Sequence, residues 1–351
     1  MPPLKILITG IAGFVGYHLA QHLVSQTKMD IVGIDHLNDY YPVELKRARL
    51  FQLGLRTSEF RPENLYGNRL RFMEMDICDS EGLDRLFSEE KFDIVCNLAA
   101  YTDVRDSIYN PIPFIKSNIQ GFTELILQCQ KHDVKHLLYA STSSVYSPSN
   151  AYPITENGLT EYPHNTYAAT KKSNELIAHV YSNLFGLTVT GMRFFTVFGP
   201  WGRPDMATYR FTKAIIDNEL VNLFNNGDHI RDFTYVTDTV ARVARLIAQP
   251  LDGLAEKYRS SQTDKTDAPY RIYNISSNRP IALKQLVVSL EKAIGKKAII
   301  QNLDRQLGDV YKTHSNTSLF DLEFGERPLV PFDEGIKNFV EWYKMYQALK
   351  K

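Results

Sequence analysis

Three glycines at three-residue spacing fall where an apolar run gives way to a helical pattern: Ile8-Thr9-Gly10-Ile11-Ala12-Gly13-Phe14-Val15-Gly16. The preceding run, Leu4–Thr9, predicts a short strand, and the pattern from Gly13 to about Thr27 predicts a helix. Glycines at such a junction permit a tight turn, close approach of the backbone to a pyrophosphate, and close helix–strand packing. The helix start then presents free N–H groups and the positive end of its dipole. The spacing is GxxGxxG rather than GxGxxG, and by itself it fits a packing turn as well as a phosphate cradle. Asp35 decides in favour of the cradle. It ends the second predicted strand, nineteen residues past Gly16, where an acid binds adenosine ribose hydroxyls. A carboxylate there repels a 2′-phosphate, which favours NAD over NADP; its alternative role is a turn or helix cap.

The turn opens an alternating series. Strands are expected at Ile31–Asp35, Arg71–Asp76, Phe92–Leu98, His136–Ser141 and Leu187–Phe194. Helices are expected at Val43 to about Leu53, Glu81–Ser88, Ile112–His132 and about His164–Leu184. Nearly continuous apolar strands alternating with helices imply a parallel sheet covered on both faces. Beyond the turn-rich Gly199-Pro200-Trp201-Gly202-Arg203-Pro204 the regularity fades. A helix is expected at about Thr208–Asn218, a polar turn at Asn225–His229 and a strand at Asp232–Val236. An exposed loop is expected at Ser260–Pro269, and helices at Leu283–Ile294 and Phe332–Tyr346. The predicted class is α/β: a doubly wound parallel (Rossmann) sheet with a smaller, partly interleaved C-terminal substrate domain. The nucleotide-binding domain is assigned 1–195 plus about 230–250, and the substrate domain about 196–229 and 251–351.

Charge and composition exclude several function classes. Forty basic residues balance forty acidic ones in 351 residues, so there is no electrostatic pull toward nucleic acid or an anionic membrane. No run reaches the eighteen or so apolar residues of a membrane span. The first predicted strand starts at once, leaving no room for a signal peptide. The three cysteines, Cys78, Cys96 and Cys129, form no CxxC pair, which argues against a disulfide framework or structural zinc. A cytoplasmic, reducing compartment is expected. His132 and His136 are four apart, but a helix-to-strand turn separates them. They read as surface residues, and no metal site is expected.

Tyr167-Ala168-Ala169-Thr170-Lys171 places a phenol and an ammonium one helical turn apart on one face. A tyrosine ionises near pH 10, so a neutral-pH base requires a shift of roughly three units, about 4 kcal/mol. A nearby ammonium favours the phenolate, and cationic NAD adds to it. YxxxK alone also describes a surface pair; its place after the fifth strand, downstream of the glycine turn, favours chemistry. The fifth strand runs into Ser141-Thr142-Ser143-Ser144-Val145-Tyr146, hydroxyls at the strand end where open α/β sheets bind ligands.

Three longer strings are more specific than the glycines. They are Ile34-Asp35-His36-Leu37-Asn38-Asp39-Tyr40-Tyr41, Arg193-Phe194-Phe195-Thr196-Val197-Phe198-Gly199-Pro200-Trp201-Gly202-Arg203-Pro204-Asp205-Met206, and Arg231-Asp232-Phe233-Thr234-Tyr235. Over nearly its whole length the chain resembles the extended short-chain dehydrogenase/reductase superfamily. Within it, the chain resembles the nucleotide-sugar 4-epimerases, most closely those acting on UDP-glucuronate. The resemblance implies that Gly10, Gly13, Phe14, Val15 and Gly16 form the pyrophosphate turn. It implies that Asp35 binds ribose, that Asp76 and Ile77 contact adenine, and that Leu98, Ala99 and Ala100 line the cofactor. It makes Thr142 the catalytic hydroxyl with Ser143 beside it, Tyr167 the base, and Lys171 the holder of the nicotinamide ribose. Arg105, Thr196 and Arg203 fall on the sugar side, the last two at the sugar carboxylate. Arg231 matches an arginine on the UDP pyrophosphate, and Asp309 an acid near the uridine ribose.

Two departures stand out. Ser147 replaces a glycine after Val-Tyr. Asp103 also replaces a glycine, which sets a second carboxylate near a uronate unless Arg105 or Arg203 neutralises it. The implied reaction is redox-neutral C4 epimerisation of a UDP-sugar through a 4-keto intermediate, with NAD retained. The implied assembly is a homodimer through the helices at about Ile112–His132 and His164–Leu184. Decarboxylation or dehydration from the same 4-keto sugar, and a catalytically dead NAD-binding regulator, are the rival readings.

Overall fold

The computed structural model describes residues 3–55, 66–261, 267–304 and 310–349. In chain order the first half contains β1 (Lys5–Thr9), α1 (Phe14–Gln26), β2 (Asp30–Asp35), α2 (Val43–Gln52), β3 (Leu70–Glu74), α3 (Ser80–Glu90) and β4 (Ile94–Asn97). Next come α4 (Asp106–Tyr109), α5 (Pro111–Phe114), a π-helical segment Ile115–Gly121, α6 (Phe122–Lys131), β5 (His136–Thr142), α7 (Thr166–Phe185) and β6 (Val189–Phe194). The remainder comprises β7 (Thr196–Phe198), α8 (Ala207–Asp217), β8 (Leu220–Phe224), β9 (Ile230–Tyr235), α9 (Val236–Ile247), α10 (Leu254–Ser260), β10 (Tyr270–Ile275) and β11 (Pro280–Ala282). It ends with α11 (Leu283–Ile294), β12 (Ile299–Leu303), α12 (Ser318–Phe324) and α13 (Phe332–Ala348).

The chain divides into two compact units. Unit one comprises 1–145, 165–193 and 240–273; unit two comprises 146–164, 194–239 and 274–351. The segment returning to unit one is thus 240–273, where the sequence suggested about 230–250.

Unit one is built on a seven-stranded sheet of order β10-β6-β5-β4-β1-β2-β3. β1 pairs parallel with both β2 and β4, β2 with β3 and β4 with β5. The order reverses between β1 and β4, and ligands of doubly wound sheets bind at the carboxyl ends of the strands at such a point. The interior strands β2, β4 and β5 are buried on both faces, as their apolar character requires, whereas the edge strand β3 is largely exposed. Leu7, Val32, Val95 and Leu137 pack with Leu83, Phe87, Phe122 and Leu125 from the covering helices. Helix ends follow local chemistry. Asp79 caps α3 by accepting from Gly82 N at 3.0 Å, Asn165 caps α7 by accepting from Ala168 N at 2.8 Å, and Gly186 closes α7 in the left-handed region.

His136 is a correction: it is fully buried at the start of the interior strand β5. Its Nε2 lies 2.8 Å from Thr190 Oγ1, and burial pushes its pKa down to about 3. His132 lies outside the sheet, 3.0 Å from Asp84 Oδ1.

Unit two holds the three-stranded sheet β11-β9-β7 and the pair β12-β8. Its core is aromatic: Phe198 packs edge-on to Phe233 and Tyr235 and beside Phe332. Trp342 of α13 stacks on Tyr346. Short strands and mixed pairing explain why no simple period is visible here. α9 starts directly after β9 with no turn residue between them, so no local signal in the sequence separates the two. The expected loop at Ser260–Pro269 is preceded by α10, and 262–266 lie outside the described residues. No described helix is long and apolar enough to cross a membrane.

Candidate active site

The glycine turn sits at the carboxyl end of β1. Gly10 has φ +72°, and a Cβ on it would lie 2.8 Å from Ala99 N. A Cβ on Gly16 would lie 2.2 Å from Gly10 O, and one on Gly13 2.9 Å from the same oxygen. All three positions are therefore closed to side chains by backbone. Gly13 precedes α1 as its N-cap, so the helix has no side-chain cap, and there is no acid in its first turn. Its leading N–H groups are thus left to an anion, as a pyrophosphate requires. Phe14 is buried and Val15 half-buried. Thr9 ties the neighbouring strand ends together: its Oγ1 donates to Asn97 Oδ1 at 2.6 Å and accepts from Ala99 N at 3.1 Å. Leu98, Ala99 and Ala100 are half-buried beside it.

Asp35 serves as a turn residue as well as an acid. Its Oδ2 accepts from Ala12 N at 3.2 Å, and its Oδ1 from Leu37 N at 3.0 Å. One carboxylate thereby joins the glycine turn to the loop after β2. Asp76 likewise accepts from Cys78 N at 2.9 Å. The Ile77 side chain is buried in the core.

Two cations of α2 also reach this region, and sequence reasoning passed over them. Arg49, fully buried, donates to Ala12 O at 2.8 Å and Tyr41 OH at 2.7 Å. Lys46 donates to Asn38 O at 2.7 Å. The string from Ile34 to Tyr41 was visible in the sequence; nothing in it marked which residues of the next helix turn inward to hold it.

Tyr167 and Lys171 lie one turn apart on α7, and Thr142 ends β5; all three are buried. Burial pushes Lys171 down to about 7, and no hydrogen bond or opposite charge among the described residues offsets it. Such an orphaned ammonium fits a partner that arrives with the ligand, as ribose hydroxyls would. Thr142 Oγ1 accepts from Ser144 N at 3.2 Å, and Ser143 is half-buried beside it. Asn118 lies in the π-helical segment, a feature common at functional sites. It bonds the Tyr101 backbone from both amide atoms at 2.9 Å and donates to Thr170 Oγ1 at 3.0 Å. A lone helical asparagine carries no sequence signal for that role.

Asp103 is accounted for locally. Its Oδ1 accepts from Arg105 N at 2.7 Å and Asp106 N at 2.9 Å, so it holds the backbone that leads into α4. Arg105 is half-buried at that helix start. The single helix expected at Ile112–His132 is a run of α5, π-turn and α6, preceded by the short α4.

In unit two, Thr196 begins β7 and pairs with Phe233. Arg203 forms a two-pronged ion pair with Asp205, with Nε 3.0 Å from Oδ1 and Nη2 on Oδ2. Burial works to raise Asp205, but the Arg203 charge and hydrogen bonds outweigh it and hold the carboxyl below its usual range. The guanidinium fork therefore already grips one carboxylate. Arg231 donates to Ile230 O at 3.0 Å and Tyr311 O at 3.2 Å. Ser147 uses the hydroxyl its glycine counterpart lacks, accepting from Tyr162 N at 3.1 Å. Asp309 lies outside the described residues. Among the described residues, no three His, Cys, Asp or Glu side chains are grouped to hold a metal ion.

A doubly wound sheet, a side-chain-free phosphate turn with an acid at the next strand end, and a Thr–Tyr–Lys set together define a dinucleotide-dependent enzyme of the short-chain dehydrogenase/reductase class. More particularly, the chain belongs to the NAD dependent epimerase/dehydratase family, whose model matches residues 6–275. It is 43% identical to protein CapI of Staphylococcus aureus, over 98% of this chain and 99% of that one. It is 36% identical to a probable UDP-glucuronate 4-epimerase of Rhizobium meliloti, over 97% of each. Among solved structures it is similar to UDP-glucuronic acid 4-epimerase of Bacillus cereus in complex with UDP-glucuronic acid and NAD. There the TM-score is 0.84 and the identity 29%, covering 98% of this chain and 100% of that one.

Proposed function

We propose that this protein is an NAD-dependent 4-epimerase that interconverts UDP-glucuronate and UDP-galacturonate through a 4-keto sugar. The observation that carries the reading is the burial of Thr142, Tyr167 and Lys171 in the same unit as a glycine turn that backbone closes to side chains. Full-length likeness to 4-epimerases of UDP-glucuronate supports the sugar.

NAD, when bound, supplies the hydride acceptor and donor at C4. Gly10, Gly13, Phe14, Val15 and Gly16 hold its pyrophosphate, Asp35 its adenosine ribose, Asp76 and Ile77 its adenine, and Lys171 its other ribose, with Leu98, Ala99 and Ala100 alongside. Tyr167 takes the proton from the C4 hydroxyl and returns it at the end of the cycle. Thr142 hydrogen-bonds the same oxygen and steadies it as its charge changes. Lys171, when protonated, favours the phenolate of Tyr167. Thr196 and Arg203 receive the uronate; for Arg203 this means adding or exchanging a carboxylate beside Asp205, which its planar fork suits. Ser143 and Arg105 contact the sugar, and Arg231 the UDP phosphates. The cofactor role falls to unit one.

The active form is a homodimer. On α7, Leu176, Val180 and Leu184 recur at four-residue spacing and are 59%, 48% and 67% exposed, an apolar stripe suited to a second copy. The protein works in the cytoplasm, in keeping with its three free cysteines and the lack of any membrane-crossing helix among the described residues.

Incubating the protein with NAD and a panel of UDP-sugars, with products read by NMR, tests the reading. Conversion of UDP-glucuronate to UDP-galacturonate is expected. Release of carbon dioxide, a deoxysugar product, or turnover of neutral sugars only would refute it.

A further inference from the structure

Glu175 lies one turn beyond Lys171 on α7, and its buried carboxylate gathers donors from two strands. Ser141 Oγ of β5 donates to Oε1 at 2.7 Å. Arg193 of β6 donates from Nε to Oε1 and from Nη2 to Oε2, both at 2.8 Å. Lys172 Nζ stands 3.6 Å from Oε2. The helix backbone is held at the same place, since Tyr270 OH donates to Glu175 O at 3.3 Å and lies 2.7 Å from Tyr139 OH. The Arg193 and Glu175 side chains are only 4% and 3% exposed. Burial works to raise Glu175, yet the Arg193 charge and the hydrogen bonds prevail and hold it below its usual range.

A buried ion pair is a poor way to stabilise a fold, because desolvation cancels most of its attraction and apolar residues of equal volume serve as well. Directed bonds supply position instead. This brace fixes the depth of α7 against the ends of β5 and β6. Its β5 anchor, Ser141, is bonded through one peptide to Thr142, while its α7 anchor shares a helix with Tyr167 and Lys171. We infer that Ser141, clamped by Glu175 and Arg193, is a positioning residue that sets Thr142 against Tyr167 for proton transfer. The inference rests on the assignment of Thr142 and Tyr167 made under Proposed function.

Ser141→Ala is the discriminating variant, because it leaves the Glu175–Arg193 pair intact. The test is a double-mutant cycle on the NAD-loaded enzyme, with Ser141→Ala made in the wild type and in Thr142→Val. UDP-glucuronate kcat and KM, NAD content and Tm are measured for each. In the wild type, kcat should fall about tenfold while KM and NAD content hold, since small misplacements of reacting groups cost rate rather than binding. With Thr142→Val, the same change should cost less than about twofold, because the hydroxyl it positions is gone. Equal losses in both backgrounds, or no loss in the wild type, would overturn the inference. Full activity in Thr142→Val alone would instead overturn the Thr142 assignment beneath it.

Discussion

Lys171 is the residue at which function and stability are most directly opposed, and Lys171→Met separates them. Burial takes this lysine from its ordinary 10.5 to about 7. The unfolded chain therefore binds the proton more tightly than the folded one throughout that interval. The penalty is full below pH 7, shrinks as pH rises, and vanishes above 10.5. At pH 7 it amounts to about 4 kcal/mol, and at pH 9 to about 2 kcal/mol. Methionine keeps the stem and fills the same space without the charge. The NAD-free Lys171→Met protein should thus be more stable than wild type by roughly those amounts at the two pH values, while losing activity and binding NAD more weakly. Urea unfolding of nucleotide-stripped protein at pH 7 and 9 measures both gaps. A variant less stable than wild type at pH 7, or a gap that does not change between pH 7 and 9, would refute the argument that desolvation of this ammonium is what the fold carries.

Tyr167→Phe keeps the ring and removes the ionisable oxygen, so kcat should drop about 10² to 10⁴-fold with unchanged circular dichroism; a near-wild-type rate would exclude Tyr167 as the base. Arg203→Ala should cost about 2–5 kcal/mol in kcat/KM for UDP-glucuronate and far less for UDP-glucose. Asp103→Gly should leave that preference unaltered, because its carboxylate is committed to its own turn; comparing both sugars across the three proteins checks this. His136 has a pKa near 3 in the fold against 6.5 outside it, so the unfolded chain takes the proton first as the solution is acidified. Stability should fall by about 1.4 kcal/mol per pH unit below 6.5, and His136→Phe should flatten the unfolding free energy measured between pH 6 and 4.5.

Much of unit one was legible because its signals are local. Strand and helix alternation, the glycine spacing, Asp35 at a strand end and the Tyr167/Lys171 period each follow from the backbone geometry of a few adjacent residues. The sequence thereby determined the doubly wound sheet and the cofactor class, and it singled out Thr142, Tyr167 and Lys171 as candidates. It did not determine what those side chains lean on. Arg49 under the glycine turn, Asn118 between Tyr101 and Thr170, and Glu175 between Ser141 and Arg193 join residues 37, 52, 34 and 18 positions apart. A buried arginine, asparagine or glutamate looks like any surface residue until the fold removes its water and it has to find partners. The same reasoning explains His136, read as a surface residue beside a polar turn and found buried in the first position of an interior strand. It also explains Arg203, whose fork promised a carboxylate and met one two residues away in Asp205. Local spacing determines which groups are available for chemistry. Burial and long-range pairing, which exist only in the tertiary structure, decide which are charged, which are held, and against what.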